Sequence, residues 1–272
     1  HRDLHSFPTR RSSDLSNNFS HAYKVLVATP PNVQDNLTYL SKRGNIVEPL
    51  KIHAAVHHFN RELFLLCHDF IEEFFYACRY SNNDTAADQA GLRAFKLKLL
   101  DLFCHHGSGI EIVKNLYKNP SNMTNEIGSL SLLIKHNQIA DELHQFYDKW
   151  KNNSNVIDKW FAVQAAHTKP NKAVNAVEKL TEHHSFELTN PNRFKSVIGA
   201  FASNNLPGFH QEDGTGYKLV TDWLIKLDTV NPQTTARVCT VFDNWKLFDL
   251  ARQKKIKENY KEIKTYCRKS TY

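Results

Sequence analysis

The sequence predicts an all-α protein in which many short helices follow one another. Three observations carry this expectation. From about Ile46 onward, apolar residues recur with a period of about 3.6, the spacing that lines one side of a helix. Polar breaks containing glycine, proline or asparagine punctuate the pattern every ~15–25 residues, a length that suits helices. Runs of strict apolar–polar alternation are missing, and so are Asn-Gly or Asp-Gly turns set between two such runs.

Along the chain, Leu92, Phe95, Leu99 and Phe103 fall on one helical face. Val156, Trp160 and Val163, then Val174, Val177 and Leu180, continue the pattern. Phe194, Val197, Ile198 and Phe201 repeat the i, i+3, i+4, i+7 spacing. Breaks are expected at Ser81-Asn-Asn-Asp, Gly107-Ser-Gly, Asn119-Pro-Ser-Asn, Lys151-Asn-Asn-Ser, Thr189-Asn-Pro, Asn205-Leu-Pro-Gly, Gly214-Thr-Gly and Val230-Asn-Pro. Asn190-Pro191 and Asn231-Pro232 are strong helix starts, because a capping side chain precedes a proline that suits the first turn. Helices of this length joined by short polar turns predict an α-superhelix, a solenoid of stacked helical pairs of the HEAT or armadillo kind. No repeat is regular enough to yield a consensus.

Residues 1–15 are set aside. His5 to Leu15 reads as the translation of a common sequencing adapter, so this stretch is expected to be an artefact fused to a genuine reading frame. It has no apolar core that would make it a signal peptide. It carries Arg2, Arg10 and Arg11 against Asp3 and Asp14, so leaving it out lowers the net charge only from +7 to +6. The chain from Ser16 is then expected to be a fragment that lacks its true N-terminus. Residues 16–45, with Pro30-Pro31, read as a linker or the tail of a preceding domain, and residues 46–272 as one helical domain.

Composition is that of an ordinary globular protein, 41% hydrophobic and 23% charged, and the length allows a sizeable core. The greasiest segment, from Phe59 to Tyr80, is interrupted by Glu62, His68, Asp69, Glu72 and Glu73, so no membrane helix is expected. Cys67, Cys78, Cys104, Cys239 and Cys267 are odd in number and lack a Cys-x-x-Cys pair. That argues for reduced thiols in a cytoplasmic setting. Arg252 to Lys269 holds eight Lys/Arg residues against Glu258 and Glu262, interleaved with Ile256, Tyr260, Ile263 and Tyr266. This reads as an amphipathic helix with a solvated basic face. Nothing accompanies it that would read a nucleic acid, so no nucleic-acid partner is expected.

A catalytic constellation is missing from the sequence. A zincin needs histidines one turn apart with a glutamate between them, and none of the fifteen histidines is followed by glutamate. His53 and His57 stand at i, i+4 without an acidic third ligand nearby, which favours plain surface or core histidines. Cys104-His105-His106 would put a thiol beside a base, but adjacent helical residues rarely face each other, and a helix end is expected at Gly107. The glycine pairs at Gly107 and Gly214 lack the third glycine of a dinucleotide loop. Gln233 and Arg237 share one face of the helix opened by Asn231-Pro232, where an amide and a guanidinium could grip a peptide carbonyl or carboxylate. Pattern alone favours a solvated face for that pair.

A series of ordered matches then points to a family. Asn122-Met-Thr-Asn, Tyr147-Asp-Lys-Trp, Val156-Ile-Asp-Lys-Trp-Phe, His184-Ser-Phe, Asn190-Pro-Asn-Arg, Ser196-Val-Ile-Gly-Ala-Phe, Phe209-His-Gln-Glu-Asp-Gly-Thr-Gly-Tyr and Asn231-Pro-Gln lie within about residues 85 to 260. In order and spacing they resemble the C-terminal domain of bacterial-type alanyl aminopeptidases, the zinc-dependent M1 family of the aminopeptidase N type. The resemblance implies a helical superhelix that packs over an upstream catalytic domain and encloses the active-site cavity. It implies that the zinc and its His-Glu-x-x-His ligands belong to that other domain, with none in this chain, and that this piece alone is inactive. It also implies that Gln233 and Arg237 line the cavity and meet the far end of a peptide substrate. Arg193 and Lys195 lie in another matched helix implied to face the cavity. The family commonly has arginine where this chain has Lys195. Charge is kept there, but planar bidentate hydrogen bonding is lost. The competing reading is a non-enzymatic helical-repeat scaffold that binds a protein or peptide partner.

Overall fold

The computed structural model describes residues 20, 23–24, 29–77 and 89–267. The adapter-like stretch, the break at Ser81 and Cys78 lie outside these residues. The described chain is helical throughout: α1 Val33–Lys42, α2 Pro49–Leu66, α3 His68–Ala77, α4 Ala90–His106, α5 Ile110–Lys118, α6 Met123–Lys135, α7 Glu142–Trp150, α8 Ser154–His167 and α9 Pro170–Glu182. There follow α10 Pro191–Phe194, a π-helical turn Lys195–Gly199, α11 Ala200–Asn204, α12 Leu206–Phe209, α13 Thr215–Asp228 and α14 Pro232–Cys239. Two 3₁₀ turns, Thr240–Phe242 and Trp245–Leu247, lead into α15 Leu250–Cys267. Among the described residues no strand forms, and a single parallel bridge joins Val47 to Phe248.

Contacts divide the chain into two compact units: His1–Asn32 with Ala54–Gln138, and Val33–His53 with Ile139–Tyr272. In the first unit α4 is the central element. Leu92, Phe95, Leu99 and Phe103 are buried as their spacing predicts, but Leu100, Asp101, Leu102 and His105 are buried too. A helix enclosed on several sides belongs to the interior. Phe64 and Phe75 cap its end, with ring centroids 5.0 and 5.3 Å from Phe103. Gly107 ends the helix with φ 101°, a left-handed conformation that a side chain would strain, and its N–H returns to the carbonyls of Phe103 and Cys104. Asn122 starts α6 by accepting the Asn125 N–H at 3.0 Å.

In the second unit α8 is central, packed by α7, α9, the π turn and α11. Phe194, Val197, Ile198 and Phe201 are fully buried against it. Asn205 ties α8 to the α12 turn: its amide donates to the carbonyls of Ala165 at 3.1 Å and Thr168 at 2.8 Å, while its oxygen accepts the Gly208 N–H. Phe209, Tyr217 and Phe242 form an aromatic cluster beyond it, with ring centroids 5.2 and 5.6 Å from Phe209. The basic helix α15 buries Arg252, Ile256 and Ile263, whereas Tyr260 and Tyr266 lie outside. No helix among the described residues is long and apolar enough to cross a membrane.

Candidate functional site

Asn231 accepts the Thr234 N–H at 2.9 Å, and Pro232 fills the first helical position, so the start of α14 is fixed. Thr234, Thr235 and Val238 are buried. Gln233 and Arg237, one turn apart, are exposed. Among the described residues neither side chain has a hydrogen-bond or ion-pair partner, so an amide and a guanidinium stand ready on one face.

Arg193 and Lys195 occupy different surroundings although they are two residues apart. Asn190 caps the segment by accepting the N–H groups of Asn192 and Arg193. Arg193 is only 6% exposed, and its guanidinium is committed. Nε donates to Asp158 at 2.5 Å, one terminal nitrogen to the Ser185 carbonyl, and the other to Ser154 at 3.3 Å. The same group lies over Phe161, 5.1 Å from its centroid. Lys195 begins the π turn and is half-buried, and its side chain has no hydrogen-bond or ion-pair partner among the described residues. A π turn is an uncommon distortion that recurs at functional sites. A cavity of about 300 Å³ in this unit is lined by Leu37, Ser203, His210, Thr240 and Phe248 among others; none of the four candidates lines it.

The first unit holds a buried polar cluster that the sequence reading missed. Asp101 and His105 are one turn apart on α4, and His136 follows the end of α6. His136 Nε2 lies 3.1 Å and His105 Nε2 3.7 Å from Asp101 Oδ1. Lys135 Nζ lies 2.9 and 2.8 Å from the two carboxylate oxygens, and Lys98 Nζ lies 3.5 Å from one of them. Burial pushes the Asp101 pKa up, but Lys135, the His136 hydrogen bond and Lys98 outweigh it and hold the carboxyl well below the usual range. The signal in the sequence was Asp101-x-x-x-His105 at helical spacing. His136 joins it only through the fold.

The thiol–imidazole reading of Cys104-His105-His106 is not supported by this geometry. Burial, with the nearby Asp101 charge, pushes the Cys104 thiol up to about 12. His105 turns toward Asp101, and His106 stacks on Phe64. Of the pair His53 and His57, His57 packs edge-on against His105 with centroids 4.4 Å apart.

Comparison with known proteins places this architecture. A family model described as "Domain of unknown function (DUF3458_C) ARM repeats" matches residues 15–270. The chain belongs to the DUF3458_C family. Armadillo-type repeats agree with the all-α solenoid expected from the sequence. This DUF3458_C chain is homologous to the C-terminal region of proteins named Aminopeptidase N. It is 35% identical over 178 residues to the Haemophilus influenzae protein, covering 64% of this chain and 20% of that one. It is 37% identical over 155 residues to that of Escherichia coli K12 (56% and 18%). With the Caulobacter vibrioides protein it shares 29% over 234 residues (84% and 26%). The chain therefore spans between 18% and 26% of these relatives' length. A solved structure, Legionella pneumophila aminopeptidase A in complex with aspartic acid, has the same fold, with TM-score 0.84 and 22% identity over 99% of this chain and 34% of that one.

Proposed function

We propose that this DUF3458_C chain is the C-terminal domain of a zinc-dependent aminopeptidase that releases N-terminal residues from short peptides. Its part is to wall the active-site cavity, which admits short peptides and keeps folded proteins out, and to position the distal end of the substrate. The homology to Aminopeptidase N supports the reaction class. The observation that carries the positioning role is the pair Gln233 and Arg237, exposed and with side chains unpartnered among the described residues, on a helix whose start is locked by Asn231 and Pro232. A guanidinium with an amide one turn away suits a peptide's carbonyls or terminal carboxylate.

Half-buried Lys195 supplies a further cation at the start of the π turn. Arg193 acts behind it: its buried contacts with Asp158, Ser154 and Ser185 hold the segment that presents Lys195. No histidine here is followed by glutamate, so the residues of this chain do not fit a zincin centre, and hydrolysis belongs to residues outside it. Alone, the domain is expected to cleave no aminoacyl anilide, with or without added zinc. The expected partners are the peptide and the protein's own catalytic domain, in a cytoplasmic setting.

The test is made in the complete enzyme. Arg237→Ala is expected to raise KM for tri- and tetrapeptides about tenfold, the loss of one charge-assisted hydrogen bond, while single-residue anilides change little. Equal losses on both substrate lengths would remove Arg237 from the distal end of the peptide.

A further inference from the structure

We propose that Asp101, His105 and His136 form a binding site for a divalent transition-metal ion of the Zn²⁺, Co²⁺ or Ni²⁺ class. The helical repeat of α4 sets Asp101 and His105 one turn apart on the same face. The end of α6 brings His136 to them, and one donor atom from each residue lies within 4.8 Å of the others. A tetrahedral ion with bonds of about 2.0–2.2 Å holds its ligands roughly 3.4 Å apart. The separations of 3.1 Å from His136 and 3.7 Å from His105 to the Asp101 oxygen straddle that value. Small side-chain adjustments close the set.

A separate observation points the same way. Asn60, on α2, is 5% exposed, and its amide nitrogen lies 3.5 Å from His105 Nε2, yet its oxygen has no partner among the described residues. A buried amide oxygen without a donor is unfavourable. Turning the amide over sets that oxygen 3.5 Å from His105 Nε2, a separation that suits a fourth donor to the same ion. Two nitrogen donors with a carboxylate favour Zn²⁺, Co²⁺ or Ni²⁺; Mg²⁺ and Ca²⁺ demand oxygen shells.

The cluster already attracts cations, since Lys135 bridges both carboxylate oxygens at 2.9 and 2.8 Å. The lysine side chain is 36% exposed and free to swing toward solvent. An ion would replace this monovalent charge and recruit two imidazoles. Bound there, it would cross-link α4 to the end of α6.

The test uses the untagged 272-residue chain, stripped with EDTA and desalted, and titrated with Co²⁺ under visible absorption. A saturable one-to-one spectrum is expected, erased by Zn²⁺, with Tm raised by either ion and unmoved by Mg²⁺. His136→Gln should weaken Co²⁺ binding at least about tenfold without changing the far-UV circular dichroism. Lys135→Met should tighten it about tenfold, because a competing charge on the same oxygens is gone. The proposal fails if no saturable binding occurs, if His136→Gln binds like the parent, or if Lys135→Met binds no more tightly. Should His136→Gln not fold, Lys135→Met decides alone, since it leaves every donor in place.

Discussion

Arg252 donates from Nε to the carbonyl oxygen of His210 at 2.9 Å, which sets a buried cation beside a buried histidine. The guanidinium also reaches Asp249, three residues earlier, at 2.5 Å and Glu212 at 3.5 Å, and its contacts with His210 and Glu212 pin α15 to the turn that precedes α13. Burial, reinforced by the Arg252 charge, lowers the His210 pKa from 6.5 to about 3. The unfolded chain therefore binds a proton below pH 6.5 that the folded chain refuses down to about pH 3. Because the unfolded state holds more protons in that window, stability falls as pH falls through it, by about 1.4 kcal/mol per pH unit from this group. Urea unfolding at a series of pH values should show His210→Gln with a slope flatter by about that amount between pH 6 and 4. Parallel profiles would mean that His210 is protonated in the folded protein.

Arg193 makes a second buried anchor, and its energetics differ because three acceptors depend on one side chain. Removing it leaves Asp158, 17% exposed, without its ion pair and the Ser185 carbonyl without its donor. Arg193→Ala is expected to destabilise the domain by about 3 kcal/mol. Arg193→Lys should not recover this, since one ammonium cannot span the planar fork. Pairing Arg193→Met with Asp158→Asn should cost less than the sum of the single changes, as their coupling requires. An additive cycle in denaturant melts would show that the ion pair contributes nothing.

How legible this was in the sequence depends on whether the signal was local. Asn190 and Asn231 declared themselves because capping needs only a side-chain oxygen and the next few N–H groups. The face Phe194, Val197, Ile198, Phe201 was read correctly as buried, yet the π turn inside it was not. A π turn is set by how α8 packs on the segment, and nothing in its residue types distinguishes it from an ordinary helix. In α15 the interleaved Ile256, Tyr260, Ile263 and Tyr266 suggested one apolar stripe. The fold buries the isoleucines with Arg252 and leaves the tyrosines outside. Charge was a poor guide there, because Arg252 has Asp249 and the His210 carbonyl to satisfy it. The Asp101 cluster needed α6 to bring in His136, a tertiary fact. Gln233 and Arg237 were legible as a shared face, and what the structure adds is that their side chains are exposed and lack partners among the described residues.

Gly216 tests the junction between α12 and α13. A methyl group added there would sit 2.4 Å from the Phe209 carbonyl oxygen and 3.0 Å from its carbon and Cα. These are backbone atoms, so no rotamer change relieves the clash; the turn that carries His210 has to open. Gly216→Ala is expected to destabilise by about 2–3 kcal/mol, an overpacking cost without a compensating contact. Gly199→Ala is the matched control. Its new methyl meets only the Lys195 side chain, Cβ at 3.5 Å and Cγ at 3.9 Å, both ordinary contacts, and alanine suits a helical backbone better by roughly 0.5–1 kcal/mol. Thermal melts of the two variants should therefore move in opposite directions or, at the least, differ by several degrees. If Gly216→Ala melts with the parent, the close approach of α13 to the Phe209 carbonyl is not what fixes this junction.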